Sequence, residues 1–197
     1  MPTLMFRDIK LRRDGFAGVK ILYMDETLCI DVANPEGCTH ILYTHSHPRH
    51  YREGLINETL KPSIYSPFTG NIVKPGESHS IGHFRVDVVH SYNRTIHGEP
   101  VHPKGLGVGY IVTTGNTVVY HTGDSDFIDE MLELREKEID ILLIPIEGFS
   151  VMGVEEASEA VKSLRPSITV PIHFTEASSF YRFRDIVYHY TQVILLR

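Results

Sequence analysis

Apolar, strand-like stretches that end on a histidine or a carboxylate recur along this chain, and this pattern constrains the fold most. The densest case is the segment 44–50, which follows the apolar run 41–43 and carries His45, His47 and His50. Residues two apart on a strand point to the same face, so His45 and His47 can approach one metal ion if the strand continues that far. His50 can reach the same pocket from the following loop. Imidazole is a strong ligand for zinc and neighbouring metals, so the segment predicts a hydrolytic metal site.

Four later strand-like stretches end in the same way, on or just before His90, Asp124, Glu147 and His173. Strand ends that face one edge of a sheet are where α/β folds collect their sites. We therefore expect one pocket at this edge. Its candidate metal ligands are His45, His47, His50, His90, Asp124 and His173.

The order of strand-like and helix-like patterns indicates an α/β fold. Strands are expected first, largely as hairpins, at Leu4–Leu11, Val19–Met24, Leu28–Val32, His40–Thr44, Ile64–Tyr65, His83–Val89, Gly107–Thr113 and Thr117–His121. The pair Gly115-Asn116 predicts a hairpin between the last two strands. Helices are expected at Tyr51–Thr59, Phe127–Lys137, Val154–Leu164 and Arg182–Tyr190, alternating in the second half with strands at Ile139–Ile146, Ser167–Ile172 and Gln192–Leu196. Strands followed by such an alternation favour a sandwich with mixed sheets.

The bulk properties narrow the function classes. The 197 residues suit one domain, 1–197, with a sizeable core, and 42% are hydrophobic and 22% charged. A net charge of −6 gives no broad attraction to nucleic acid. Neither a signal peptide nor a membrane-spanning stretch is visible, so we expect a cytoplasmic protein with no membrane partner. Cys29 lies in an apolar run and is expected to be a buried, inert thiol.

The ordered set of motifs resembles the metallo-β-lactamase superfamily over nearly the whole chain. The set comprises His-x-His-x-x-His at 45–50, a later histidine, Gly123-Asp124 and the strand-end His173. The branch that it resembles is that of small cytoplasmic metal-dependent hydrolases related to ascorbate-6-phosphate lactonase. The resemblance implies a four-layer αββα sandwich of two mixed β-sheets flanked by helices, with the metals at one edge.

The resemblance also implies roles for the ligands. It assigns His45, His47 and His90 to a first ion and His50, Asp124 and His173 to a second, with Asp124 bridging. His102 competes with His90 for the third place on the first ion. We favour His90 because it ends a strand.

Arg49 breaks the family pattern, which is His-x-His-x-Asp-His. A guanidinium cannot deprotonate in a protein or ligate a cation, and it would repel a second divalent ion. Three interpretations follow. Arg49 turns to solvent and Glu147 substitutes as a carboxylate; or one ion binds and Arg49 pairs with Asp124; or the site is degenerate. We favour the second.

The leading hypothesis is a metal-dependent hydrolase of a small anionic substrate, a lactone or a phosphoester. Asp124 would position the attacking water or take its proton, and Arg49 would bind the substrate's anionic group. The cofactor would be one or two divalent ions, zinc by preference, with manganese and iron open. The alternative is a catalytically degenerate member of the same fold that binds a metal or ligand. The expected partner is a small molecule and not nucleic acid, and the sequence leaves the oligomeric state open.

Overall fold

The computed structural model describes residues 3–54, 62–94 and 99–196, which form two seven-stranded sheets, two α-helices and a 3₁₀ helix. The first sheet runs across in chain order: β1 (Thr3–Phe6), β2 (Ile9–Arg13), β3 (Val19–Tyr23), β4 (Glu26–Ile30), β5 (His40–Leu42), β6 (Ser63–Ser66) and β7 (Asn71–Ile72). The second sheet also follows chain order: β8 (Ser78–Ile81), β9 (Phe84–Ser91), β10 (Gly107–Thr114), β11 (Thr117–His121), β12 (Ile141–Pro145), β13 (Ile168–Ile172) and β14 (Gln192–Val193). The helices are a 3₁₀ helix (Asp129–Lys137), α1 (Val154–Leu164) and α2 (Ala177–Val187).

Each sheet is antiparallel in its first half and parallel in its second. Strands β1 to β4 pair antiparallel, and β4 to β7 pair parallel. Likewise β8 to β11 pair antiparallel, and β11 to β14 pair parallel. Parallel neighbours end at the same edge of a sheet, so the residues after β4, β5, β11, β12 and β13 are brought to sheet edges together.

The main core lies between the two sheets. Alternate residues of β2, β3 and β4 supply Leu11, Ile21 and Leu28 from one side, and the second sheet supplies residues such as Val112 and Leu143. This alternation is what a sheet with one face on the core requires. The packed pair of sheets is therefore a rigid platform for the loops at its edge.

The opposite face of the second sheet is covered by helices. Helix α1 buries Val154, Ala157, Ala160, Val161 and Leu164, an apolar stripe at helical spacing, against that sheet. The outer face of the first sheet carries a smaller cluster around Ile41 and Tyr43. The arrangement confirms the expected αββα class of fold. The helix expected at Tyr51–Thr59 falls largely on residues 55–61, outside the described residues.

Several element boundaries differ from the sequence predictions. Leu4–Leu11 is two strands joined by a turn in which Arg7 has a φ of 47°. The 3₁₀ helix replaces an expected α-helix, and α2 lies five residues earlier at its start than expected. Strands β7 and β8 were not expected, because they are short and polar. The hairpin at Gly115-Asn116 is confirmed by the antiparallel pairing of β10 with β11.

The prediction of a free thiol at Cys29 is wrong. Cys29 and Cys38 form a disulfide with their Cα atoms 5.9 Å apart. The parallel register of β4 and β5 places Leu28 opposite His40, so the connecting loop returns Cys38 to the side of Cys29. Among the described residues, no helix is long and apolar enough to cross a membrane.

Candidate metal centre

The candidate site is built from residues that follow parallel strands. Asp31 follows β4, Asp124 comes three residues after β11, Glu147 follows β12 by two residues, and His173 follows β13 directly. Strand β5 ends at Leu42, so His45 and His47 lie in the loop beyond it and not on the strand itself. Their rings nevertheless meet edge to face, with centroids 4.7 Å apart. Both sheets therefore deliver polar side chains to one place.

Asp124 is the hub of this cluster. Its Oδ2 atom lies close to the Nε2 atoms of four histidines: 3.2 Å from His50, 3.2 Å from His173, 3.5 Å from His102 and 3.7 Å from His45. Asp124 is 4% exposed, so these groups face one another with little water between them. The structure thus brings together five of the predicted site residues, His45, His47, His50, Asp124 and His173, and adds His102.

Hydrogen bonds fix which nitrogen of His50 and His45 faces inward. The Nδ1 of His50 lies 2.8 Å from Asp31 Oδ2, and a carboxylate oxygen accepts, so this nitrogen carries the proton. Thr44 donates its hydroxyl to the same carboxylate at 2.6 Å and lies 2.9 Å from His45 Nδ1, from which it can accept. Both rings therefore direct Nε2 toward the pocket, the orientation that metal-binding histidines have.

His102 is held in the same orientation by Asn93 and Ser150. Its Nδ1 lies 2.9 Å from Asn93 Oδ1 and 2.9 Å from the Ser150 carbonyl, both acceptors. Asn93 Oδ1 also accepts from the His102 backbone N–H at 2.9 Å, and Asn93 N–H donates to the His102 carbonyl at 2.8 Å. The Nε2 of His102 is left facing His47 Nδ1 at 3.1 Å.

The structure places His102 in this cluster, whereas the sequence favoured His90. His90 still belongs to β9, where it pairs in register with Val108, and its ring contacts Tyr92. Ending a strand was an insufficient criterion, because β9 runs in the same direction as β11 and ends at the same edge, yet His90 is not among the clustered ligand atoms of the described residues. Hydrogen bonds to Asn93 and Ser150 hold His102 at the pocket instead.

The residues present fit a divalent metal ion. The ligand atoms of His45, His47 and His102 lie within 4.8 Å of one another, and so do those of His45, His50 and Asp124. Among the described residues, the buried atoms His45 Nε2 and Asp124 Oδ1 have no hydrogen-bond partner. Unsatisfied buried polar atoms are costly, and a cation at their common centre would satisfy them.

The electrostatics of the pocket favour neutral imidazole at His45. Burial lowers the pKa of His45 to about 3, and the positive charge of His50 adds to the effect. Burial would also lower the pKa of His50, but Asp31 and Asp124 outweigh it and raise that pKa to about 10. Burial would raise the pKa of Asp124, yet hydrogen bonds with His173 and His50 hold it well below its usual range. Before a metal binds, His50 is therefore an imidazolium whose two N–H groups face the carboxylates of Asp31 and Asp124.

Arg49 does not pair with Asp124, so that part of the favoured interpretation was wrong. Its guanidinium lies 4.6 Å above the ring of Phe16, and its Nη1 is 3.8 Å from Glu147 Oε2. The arginine side chain is 63% exposed. Asp124 is enclosed by histidines, which leaves no place for the guanidinium beside it. Glu147 Oε2 also lies 3.0 Å from His173 Nδ1, so this carboxylate borders the centre.

An open cavity of about 670 Å³ leads to the centre, a size typical of small-molecule sites. The residues that line it are His47, Pro48, Arg49, His50, His102, Asp124, Glu147, Gly148, Phe149, Ser150 and His173. Arg49 contributes a guanidinium to this lining. The cavity can therefore receive a small anion beside the histidines.

Some residues of the site were missed from the sequence. Asp31 follows an apolar strand, as the predicted ligands do, so the same signal was present and was not applied to it. Asn93 gave no such signal, because an asparagine in a loop has no spacing that marks it. Its role depends on its contacts with His102 and with the Ser150 carbonyl, which comes from a distant part of the chain.

Comparison with known proteins agrees with the fold. A family model described as the Beta-lactamase superfamily domain matches residues 15–173. The chain therefore belongs to this superfamily. The match includes all the residues that form the centre.

Individual relatives place the chain more closely. It is 31% identical over 170 residues to the UPF0173 protein of Pyrococcus furiosus, which covers 80% of this chain and 76% of that protein. It is 33% identical over 101 residues to a UPF0173 metal-dependent hydrolase of Carboxydothermus hydrogenoformans. That second match spans 50% of this chain and only 45% of the length of the relative.

The fold is also similar to solved structures. A crystal structure named as a metal-dependent hydrolase from Parabacteroides distasonis has a TM-score of 0.86 over 99% of this chain and 97% of that chain. The sequences are 22% identical. At this identity the likeness shows the fold alone.

Proposed function

We propose that this protein is a metal-dependent hydrolase of a small anionic substrate, a lactone or a phosphoester. One observation carries the proposal. The Nδ1 atoms of His45, His50 and His102 each have a polar partner outside the pocket, and their Nε2 atoms converge on Asp124. The metal-dependent hydrolases among the relatives support the same activity.

The proposed centre holds one divalent ion on His45, His47 and His102. The ion would lower the pKa of a water molecule and polarise the scissile bond, which is what zinc and similar ions supply in hydrolases. His50 and His173 also approach Asp124, and the family's second ion would need a carboxylate at position 49. Arg49 supplies no ligand atom at this position, which favours one ion over two.

The protein's own residues then have defined tasks. Hydrolysis joins the water oxygen to the carbonyl carbon or phosphorus, breaks the bond from that atom to the leaving oxygen, and transfers a water proton to that oxygen. The pKa of Asp124 lies well below its usual range, so this carboxylate suits positioning the water better than storing its proton. Arg49, exposed in the cavity wall, would bind the anionic group through its two-pronged donor face.

Metal content and activity of the purified protein test the proposal together. Protein prepared without chelator should contain about one divalent ion per chain and hydrolyse members of a panel of lactones and phosphodiesters. His47→Ala and His102→Ala should lose both properties. His90→Ala and His79→Ala, which remove imidazoles outside the cluster, should keep them. Two ions per chain would overturn the one-ion centre, and loss of metal in His90→Ala with retention in His102→Ala would overturn the ligand set.

A noncatalytic metal- or ligand-binding role is the second candidate. The observation that favours it is the replacement of the family's aspartate by Arg49, since a guanidinium cannot orient a water by accepting its proton. A protein with full metal occupancy and no turnover of any substrate in the panel would support this role. Turnover that is lost in His47→Ala would exclude it.

We propose a cytoplasmic location, and the Cys29–Cys38 disulfide provides its test. Disulfides are rare in the cytosol except in some hyperthermophiles. Cells quenched in acid and alkylated before lysis should therefore yield these two cysteines reduced if the protein resides in an ordinary reducing cytosol. Recovery of the oxidised pair would indicate an oxidising compartment or a cytosol that tolerates disulfides.

A further inference from the structure

Phe149 is an aromatic side chain placed in water at the mouth of the cavity. It is 106% exposed, the most exposed large apolar side chain in the described part of the chain, and it lines the same cavity as Arg49 and His102. A single exposed apolar residue needs no explanation in general. Phe149, however, also has a strained backbone conformation and lies in a loop that is tied to the metal centre.

The backbone of Phe149 is in the left-handed region, with a φ of 69°. A bulky residue with positive φ is an outlier that the surrounding structure must maintain. Among the described residues the other non-glycine cases fall into two groups. Arg7, Met24, Glu138 and Arg165 occupy tight turns or helix ends, where this conformation is ordinary. The remaining two, Asp31 and His173, belong to the metal centre. The strained backbone conformation of Phe149 is thus the same as that of Asp31 and His173, which points to a role for Phe149 at the same site.

The loop that presents Phe149 is tied to the metal centre. The carbonyl of Ser150, the next residue, accepts hydrogen bonds from His102 Nδ1 at 2.9 Å and from Asn93 Nδ2 at 3.0 Å. The loop is closed by Gly148 N–H, which donates to the Met152 carbonyl at 3.1 Å. The aromatic ring therefore projects from an anchored turn whose position relative to His102 is fixed.

Arg49 offers the second recognition group in the same cavity. Its guanidinium is stacked on Phe16 at 4.6 Å, which orients the planar donor face, and its contact with Glu147 at 3.8 Å is too long for a strong hydrogen bond. Its donors therefore remain available to a carboxylate or phosphate. The lining thus combines a metal centre, a cationic fork and an exposed aromatic ring.

We propose that the substrate is an aromatic anion: a small ester or lactone whose anionic group binds Arg49 and whose aromatic ring packs on Phe149. This inference deepens the proposed function and rests on it only in taking the cavity as the substrate site. Aromatic rings stack on one another beyond what their buried area alone provides, and this gives Phe149 a selective role. Removal of a stacking partner should reduce affinity about ten-fold, which corresponds to about 1.4 kcal/mol.

Binding of two inert phosphonates tests the proposal without turnover. Phenylphosphonate and methylphosphonate carry the same anionic group and cannot be hydrolysed at their C–P bond under these conditions. Isothermal titration calorimetry on the metal-loaded protein should give about ten-fold tighter binding of phenylphosphonate. Phe149→Ala should abolish this preference and leave methylphosphonate affinity unchanged, whereas Phe149→Leu should keep part of it.

Matched variants separate the two contacts. Arg49→Met should weaken both phosphonates by a similar factor, and Arg49→Lys should restore part of the affinity through charge alone. Leu132→Ala, which removes an exposed apolar side chain on the 3₁₀ helix, should change neither. Equal binding of the two phosphonates by the unaltered protein, or a preference that survives in Phe149→Ala, would overturn the proposal. A preserved phenyl preference in a protein that hydrolyses nothing would count against the proposed function and not against this inference.

Discussion

At the scale of single residues, the metal centre depends on side chains that are not themselves proposed metal ligands. Asp31, Thr44 and Asn93 each hold a histidine by its Nδ1, so the opposite nitrogen is aimed inward before any ion arrives. Such partners raise the basicity of the ligand and fix its ring. Preorganisation of this kind lowers the entropy that binding must otherwise overcome.

Replacement of Asp31 by asparagine should weaken metal binding about 10- to 100-fold, the range typical of lost outer partners. The amide removes the negative charge that His50 faces at 2.8 Å and also disturbs Thr44, which donates to the same carboxylate. Competition with a chromogenic chelator would measure the affinity. Asp140→Asn is the matched control, because Asp140 is a buried aspartate that binds Arg7 and the Val118 N–H away from the centre. Equal losses in both variants would show that Asp31 acts through general stability alone.

The stability of the metal-free protein should depend on pH through His50. The pKa of His50 is about 10 in the folded protein and about 6.5 when unfolded, because Asp31 and Asp124 stabilise its charged form. The folded state therefore binds the His50 proton more tightly than the unfolded state does. The stability that protonated His50 contributes is complete below pH 6.5 and is lost as the pH rises through about 10. Thermal unfolding with chelator present should show a falling melting temperature over this interval. His50→Gln should flatten the dependence, and a melting temperature that rises over the same interval would contradict the assignment.

Whether the sequence could predict a site residue depends on whether local spacing or tertiary contacts determine the position of that residue. His45, His47 and His50 lie close in the chain, and Asp124 and His173 follow strands of the parallel half, so local patterns located them. His102 depends on hydrogen bonds that it donates to Asn93 Oδ1 and to the Ser150 carbonyl, and Ser150 comes from a distant part of the chain. The position of Arg49 was open for the same reason, since its neighbours Phe16 and Glu147 come from distant parts of the chain. Spacing predicts strand ends, whereas contacts between separate loops are settled only by tertiary packing.

At the scale of elements, the turns after the strands place the ligands. The turn from β11 to Asp124 passes through Gly123, which has a φ of 64°. A Cβ atom there would lie 2.8 Å from both Ser91 Oγ and the Val108 carbonyl oxygen. The Gly123 N–H also donates to His121 Nδ1 at 3.1 Å, and His121 in turn contacts the Ala17 carbonyl through Nε2. His121 therefore supports the turn.

Gly123→Ala should destabilise the protein by more than the ~1–3 kcal/mol of a strained backbone position, because steric overlap with a backbone carbonyl adds to the strain. Gly76→Ala is the control. Gly76 also has a positive φ, 93°, but a Cβ there would meet nothing within 4 Å, so only the backbone strain remains. Chemical denaturation of both variants would measure the difference. Equal destabilisation of the two variants would mean that Ser91 and Val108 move away from the new Cβ atom with no loss of stability.

Long elements with a clear period were predicted closely, and short polar ones were not. The apolar stripe of α1 predicted both ends of that helix. The continuous apolar run of β12 predicted a strand buried on both faces. Strands β7 and β8 have few apolar residues, and their pairing depends on neighbouring strands. The Cys29–Cys38 pair escaped prediction because only the register of β4 with β5 brings the two together.

At the scale of the whole molecule, the centre lies where the two sheets meet. Each sheet passes from antiparallel to parallel pairing in chain order, and the parallel halves bring their strand ends to the same place. His45, His47 and His50 follow the first sheet's β5, whereas Asp124 and His173 follow strands of the second. The interpretation of residues 1–197 as one domain stays a prediction. The metal would nevertheless connect both sheets.

Removal of the metal should therefore destabilise the molecule as a whole and not a single loop. A ligand that binds only the folded state stabilises it by RT ln(1 + [L]/Kd), about 2.7 kcal/mol when the free ion is at 100 times Kd. For a chain of this size, that corresponds to a rise in melting temperature of roughly 5–10 °C.

Calorimetry with increasing free zinc should show one transition that moves upward with the logarithm of the zinc concentration. His47→Ala should melt at one temperature at every zinc concentration, while His79→Ala should behave as the unaltered protein. Because the candidate ligands come from both sheets, the single transition should move intact; if it splits into a zinc-dependent and a zinc-independent part, the ion is held by one sheet alone and the centre described here is wrong.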